Sequence, residues 1–188
     1  MRIILLGAPG SGKGTQGPVL AEHFGATHVS TGELLRGHMG DLTELGRLVS
    51  QFVRSGELVP DEIVLELLWE PITKAAADGG FILDGFPRNL RQAELAFKRA
   101  LMAGGTADAV VYLAVPDDAV RTRLVARAAQ EGRSDDLAPA VTERRLGIFH
   151  AETGPLLDFY RARDLLVTID ASGPPDEVGA AMIAALDR

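Results

Sequence analysis

Short apolar runs alternate with longer amphipathic stretches along this chain, and that alternation sets the expected architecture. Ile3 to Leu6, Phe81 to Leu83, Ala109 to Leu113 and Leu165 to Ile169 read as buried strands, with Arg2 opening the first and Asp84 ending the second. A shorter strand is predicted at Thr27 to Val29. Between the strands the spacing predicts helices over 13–24, 89–103, 117–129, 140–162 and 175–187. Ser30-Thr31-Gly32-Glu33 supplies a hydroxyl cap and an early carboxylate for a further helix reaching about Met39. Asp41 or Thr43 caps the next, which runs to about Arg54. Pro60 suits the first turn of a helix to Ala77, with Asp61 and Glu62 at its positive end. Gly104-Gly105 closes the helix over 89–103, and 131–139 is polar and turn-rich. Such alternation predicts a three-layer α/β/α fold, a five-stranded parallel sheet with helices on both faces. Ligands of such sheets bind beyond the carboxyl ends of the strands.

Composition narrows the picture. The 188 residues fit one domain, and 46% hydrophobic with 24% charged residues is ordinary for a globular chain. No apolar run approaches membrane-spanning length, and the strand-like start differs from a secretion signal, so a cytoplasmic location without a membrane partner is expected. Cysteine is absent, which excludes a disulfide framework and a thiolate metal site. A net charge of −7 argues against nucleic acid, whose phosphate backbone requires a broad basic surface. The cations are three lysines against sixteen arginines, and the planar fork of arginine suits bidentate phosphate contact. An acidic chain that handles phosphate must gather its positive charge into one cleft.

One stretch names the chemistry. Gly7-Ala8-Pro9-Gly10-Ser11-Gly12-Lys13-Gly14-Thr15 lies between the first strand and the first helix and fits the phosphate-binding loop pattern of P-loop nucleotide-binding folds. Glycines there let backbone N–H groups turn inward around an anion, the helix dipole points at the same spot, and Lys13 reaches the outer phosphates. Gly14 stands where Ser or Thr usually follows the lysine, and the hydroxyl comes at Thr15, so magnesium is expected to be held differently from the common arrangement. Asp84, ending an apolar strand, should emerge at the same sheet edge, where a carboxylate can hold the water shell of Mg²⁺. Gly85 and Pro87 fix the backbone and leave Arg88 projecting toward that edge. An arginine beside a magnesium carboxylate points to a shared phosphate.

The sequence resembles the adenylate kinases. The residues that carry the likeness are 7–16, Ser-Thr-Gly-Glu-Leu-Leu-Arg at 30–36, Gly-Glu-Leu-Val-Pro-Asp-Glu-Ile at 56–63, and Phe-Ile-Leu-Asp-Gly-Phe-Pro-Arg at 81–88. Gly-Arg-Ser-Asp-Asp at 132–136 and Thr-Gly-Pro-Leu-Leu at 153–157 continue it in family order. The resemblance implies reversible phosphoryl transfer from ATP to AMP, giving two ADP, with a mobile monophosphate-binding segment at 30–59 and a short lid at 127–136. It implies an ATP site of Gly10, Ser11, Gly12, Lys13, Gly14, Thr15, Arg123, Arg127 and Gly173. It implies an AMP site of Thr31, Arg36, Glu57, Leu58, Val59, Gly85, Phe86, Pro87, Arg88, Gln92, Arg133 and Arg145. Lys13, Asp84, Arg88, Arg123, Arg133 and Arg145 become the catalytic set, with Asp84 behind the waters of Mg²⁺. Gln92 matches the amide that reads adenine, and an amide can donate and accept at once. Counting forward from Arg133 puts the family arginine at Arg144; counting back from Leu146, Phe149, Thr153 and Pro155 puts it at Arg145. The second count is preferred, because an inserted residue fits more easily near Leu137-Ala138-Pro139 than inside a helix.

The lid is too short for the small domain that many bacterial members insert there, and with no cysteine structural zinc is excluded. His23, His28, His38 and His150 are scattered and read as solvated or packed. The attacking oxygen of AMP is already anionic, so no general base is required; positioning and charge neutralisation carry the reaction, with water shut out. A monomer is expected. Two other readings remain at this point: a kinase for UMP or CMP, and a non-catalytic ATP-binding switch of the same fold.

Overall fold

The apolar runs become β1 (Arg2–Gly7), β2 (Thr27–Ser30), β3 (Phe81–Asp84), β4 (Ala109–Ala114) and β5 (Leu166–Asp170), all parallel in the order β2-β3-β1-β4-β5. These come from a computed structural model that describes residues 1–40, 43–131 and 139–187. Among the described residues the helices are α1 (Lys13–Phe24), α2 (Thr31–Gly40), α3 (Glu44–Ser55), α4 (Asp61–Ala77), α5 (Leu90–Met102), α6 (Asp117–Glu131), α7 (Pro139–Arg161) and α8 (Pro175–Leu186).

Alternation along β1 builds the two cores. Ile3 and Leu5 point to one face and pack with Leu20 of α1 and Val178 and Met182 of α8. Ile4 and Leu6 point to the other and join Val49 of α3, Leu68 of α4, Ala93 of α5 and Leu156 and Tyr160 of α7. Full burial of a side chain such as Leu5 or Ile82, both at 0% exposure, contributes about 1.5–3 kcal/mol each. A third, smaller cluster joins Ala8 to Val120 and Leu124 of α6 and Leu146 of α7, which fastens the phosphate loop to the second half of the chain. Between α4 and α5 the single tryptophan, Trp69, lies under the guanidinium of Arg99, 4.1 Å from ring centre to carbon. No helix among the described residues is long and apolar enough to cross a membrane.

The expected elements form, with local adjustments. Thr43 is the cap of α3, its Oγ1 accepting from the Gly46 N–H at 3.0 Å; Asp41 lies outside the described residues. Pro60 stands one residue before α4 rather than inside its first turn, because its ψ of 136° is extended. Asn89 caps α5 instead of belonging to it. The helix expected to end at Ala129 continues to Glu131.

The register decides where chemistry can gather. Leu5 pairs with Asp84 across β1 and β3, and Ser30 pairs with Asp84 across β2 and β3. β2 and β3 therefore end level with each other and β1 two residues beyond, at the same sheet edge, and each is followed by a stretch that carries candidate residues.

Candidate active site

At the end of β1 the chain turns into the loop that precedes α1. Gly12 caps α1 with φ at 102°, a left-handed conformation that a side chain would strain, and its carbonyl accepts from the N–H groups of Thr15 and Gln16. Lys13 folds over the loop: Nζ donates to the carbonyls of Gly7 (2.7 Å) and Ala8 (2.9 Å) and to Ser11 Oγ (3.4 Å). Enclosure by the protein lowers its pKa to about 8, with Asp84 opposing the drop and Arg88 and Arg127 adding to it.

A pH dependence follows. In the nucleotide-free protein Lys13 loses its charge as pH rises through about 8, so capture of an anionic phosphate weakens above that pH. Bound phosphate favours the protonated form and moves the titration upward. The kcat/KM for the triphosphate should therefore fall above about pH 8 while kcat holds, since the first reports free enzyme and the second the complex. A parallel fall of both, or of neither, contradicts this role for Lys13.

Asp84, 9% exposed, sits over the start of α1: a Cβ at Gly14 would lie 3.9 Å from Asp84 Oδ2. His28 packs beneath it, Nε2 4.0 Å from the same oxygen, in space left open by Gly17, where a Cβ would be only 2.3 Å from that nitrogen. The packed reading of histidine holds for His28, whereas His23 and His150 pair with Asp187 and Asp117 at the surface.

Past Asp84 the chain turns at Gly85 and passes through a cis Phe86–Pro87 bond. Arg88 Nε donates to the Gly85 carbonyl at 2.8 Å, and a Cβ at Gly85 would sit 3.4 Å from Arg88 Nη2 and 3.5 Å from Thr31 Cβ. Arg88 and Thr31 thus flank one spot. The arginine is exposed to the cleft; enclosure lowers its pKa first, Asp84 opposes, and Arg145 and Arg36 add to the drop, yet it stays cationic at neutral pH. Thr31 Oγ1 is buried with no hydrogen-bond partner among the described residues. Arg36 folds back so that its Nη1 would lie 3.0 Å from a Cβ at Gly32.

Gln92 is held at both ends. Its Oε1 accepts from the Arg88 N–H at 2.8 Å, and its Nε2 donates to Asp61 Oδ1 at 2.7 Å. On the opposite side, Arg123 Nη2 donates to the Ser172 carbonyl at 3.1 Å, next to Gly173.

These groups line one cleft of about 670 Å³, a size usual for ligand sites. Gly10 to Thr15, Thr31, Arg36, Glu57 to Val59, Asp84, Gly85, Pro87, Arg88, Gln92, Arg123, Arg127, Arg145 and Gly173 all border it. Phe86 does not; its side chain, 1% exposed, is core, so only its backbone can serve the site. Arg133, with the rest of 132–136, lies outside the described residues. Arg145 reaches the cleft wall, with Nη2 donating to the Val53 carbonyl at 3.3 Å. Arg144 is exposed and instead meets Glu57 Oε1 and the Ser55 carbonyl, both at 3.3 Å. Gln16 also borders the cleft, its Nε2 donating to the Pro175 carbonyl at 2.6 Å, and sequence reasoning did not single it out.

The chain compares closely with known proteins. The family model described as adenylate kinase matches residues 5–165. An adenylate kinase of Streptomyces avermitilis is 39% identical, over 100% of this chain and 98% of the relative. One from a Cyanothece species is 42% identical over 100% of this chain and 95% of its own length. Adenylate kinase 1 of a Nostoc species is 44% identical, with 94% of each chain covered.

Proposed function

The chain belongs to the adenylate kinase family, and from that premise we propose that its cleft holds ATP and AMP head to head, their phosphates meeting beyond the ends of β1 and β3. The activity is that of a nucleoside monophosphate kinase: reversible transfer of the ATP γ-phosphoryl group to AMP, giving two ADP. One observation carries the proposed placement: Lys13, Asp84 and Arg88 border the same cleft, with Asp84 beside the start of α1.

The phosphate loop takes the triphosphate through its backbone N–H groups and Lys13, while Arg123, Arg127 and Gly173 border the ATP base and outer phosphates. On the other side Arg36, Arg88 and Thr31 take the AMP phosphate; the unpartnered Thr31 hydroxyl supports that role. The backbone of 57–59 and the segment 85–88 wall the nucleoside, and Gln92 meets its base. Arg145, together with Arg133, completes the set of cations around the transferred group. Preorganised charge of this kind, in a site that shuts out water, is the main catalytic resource for phosphoryl transfer. AMP brings an anionic oxygen, so the side chains need only aim it in line at the γ-phosphorus.

Magnesium fits this cleft as cargo of the triphosphate. Asp84 presents a carboxylate near Gly14, and Thr15 a hydroxyl on the same wall, which suits a hard cation that keeps several waters. When bound, the ion neutralises charge on the outer phosphates; Asp84 would hold it through water. A cytoplasmic monomer that engages neither nucleic acid nor membrane completes the proposal, and the net charge of −7 supports the first exclusion.

A coupled assay for ADP with AMP, CMP, UMP and GMP as acceptors tests the reading. AMP should be preferred by at least about tenfold in kcat/KM. Two adenosines joined by five phosphates should compete with both ATP and AMP. Preference for a pyrimidine acceptor, or ATP binding without turnover, would replace this reading with one of the two alternatives.

A further inference from the structure

Asp61 opens α4 one residue beyond the segment 57–59, after Pro60, and its Oδ1 is shared by two donors: Gln92 Nε2 at 2.7 Å and Asn89 Nδ2 at 3.2 Å. Asn89 cannot turn over freely, because its own Oδ1 accepts from the Gln92 N–H at 2.7 Å as the cap of α5. Arg91 braces the far side of the carboxylate, Nε 3.8 Å from Asp61 Oδ2. Gln92 itself is only 2% exposed.

Which end of the amide is oxygen follows from its partners. A carboxylate only accepts, so the Gln92 atom facing Asp61 is nitrogen; a backbone N–H only donates, so the atom facing Arg88 is oxygen. An amide has two N–H donors and two acceptor sites on oxygen. One of each is engaged with the protein, which leaves one donor and one acceptor of fixed order. A 6-aminopurine offers a donor at C6 beside a ring-nitrogen acceptor and matches that order. A 6-oxopurine puts an acceptor at C6, where it meets the amide oxygen.

We propose that Asp61 is a positioning residue for acceptor recognition: its carboxylate sets the Gln92 amide so that the cleft takes a 6-aminopurine monophosphate and rejects a 6-oxopurine one. This rests on the reading that Gln92 meets the acceptor base.

The test compares AMP and IMP as acceptors for the wild type, Asp61→Ala, Asp61→Asn, Gln92→Ala and the double variant Asp61→Ala/Gln92→Ala. Asp61→Ala should raise KM for AMP about tenfold and shrink the AMP-over-IMP ratio of kcat/KM by a similar factor, with kcat and KM for ATP little changed. Asp61→Asn, whose amide oxygen still accepts from both donors, should recover most of the preference. On the Gln92→Ala background, Asp61→Ala should add less than about twofold, since the two act as one unit. If Asp61→Ala does not fold, Asp61→Ser, polar but too short to reach Gln92, carries the same comparison. An intact preference in Asp61→Ala, or an undiminished effect without Gln92, overturns the role of Asp61 while leaving that of Gln92 standing. An unchanged KM for AMP in Gln92→Ala removes the underlying reading and the proposal with it.

Discussion

Arg88→Ala should lower kcat by about 10³-fold, a loss of about 4 kcal/mol of transition-state stabilisation, while the protein stays folded. The size follows from what an arginine aimed at developing phosphate charge contributes in related transfers. Survival of the fold follows from position: Arg88 is exposed to the cleft, and its side chain is tied to the protein through the Nε bond to the Gly85 carbonyl. Truncation leaves no large cavity. Turnover under saturating ATP and AMP, with circular dichroism and a melting curve alongside, decides the matter. Activity within tenfold of wild type would exclude Arg88 from the transferred phosphate's surroundings, and a collapsed melting curve would show a structural duty instead. Arg88→Lys should restore little, because an ammonium cannot reproduce a planar two-point contact.

Gly80→Ala should cost about 3 kcal/mol or more, which for a chain of this length lowers Tm by about 6–12 °C. Gly80 precedes β3 with φ at 126°, a conformation closed to other residues. A Cβ there would lie 2.0 Å from the Met1 carbonyl oxygen and 2.6 Å from its nitrogen. Those are main-chain atoms and cannot rotate away. The Met1 carbonyl also accepts from the Phe81 N–H at 3.0 Å, and the Met1 ammonium donates to the Gly79 carbonyl at 2.8 Å, so any retreat of Met1 loosens the join of β1 and β3. Urea titration is the check: the midpoint should fall with m unchanged. A loss below about 1 kcal/mol would mean that the start of the chain yields easily, against the contacts described.

Much of the site could be read in the residues themselves. A strand followed by a glycine-rich loop and a helix puts Lys13 at a sheet edge, and Asp84 at the end of an apolar run belongs to the same edge once the strands are parallel. Both inferences need only local periodicity and one topological rule. The choice between Arg144 and Arg145 needs more. Neighbours on a helix diverge by about 100°, so which of them faces the cleft depends on the phase of α7 against the sheet, and packing fixes that phase. Leu146 and Leu156 in the cores turn Arg145 inward and leave Arg144 to Glu57. Asp61 was legible only as a carboxylate at a helix start; its partners lie 28 and 31 residues away, and no spacing rule joins them. Phe86 shows another limit: the resemblance places it in the segment 85–88, and only packing reveals that its side chain serves the core.

Trp69 gives the chain a built-in optical reporter. Its indole is the only one in the sequence and sits under Arg99 on the seam where α4 meets α5. Asp61 lies about two turns earlier on α4, and Gln92 is on the facing helix, so both parts of the base-reading pair ride on the elements that frame the fluorophore. Emission and quenching therefore sample that seam without an attached dye, and any nucleotide-linked change at the seam is readable on the unmodified polypeptide.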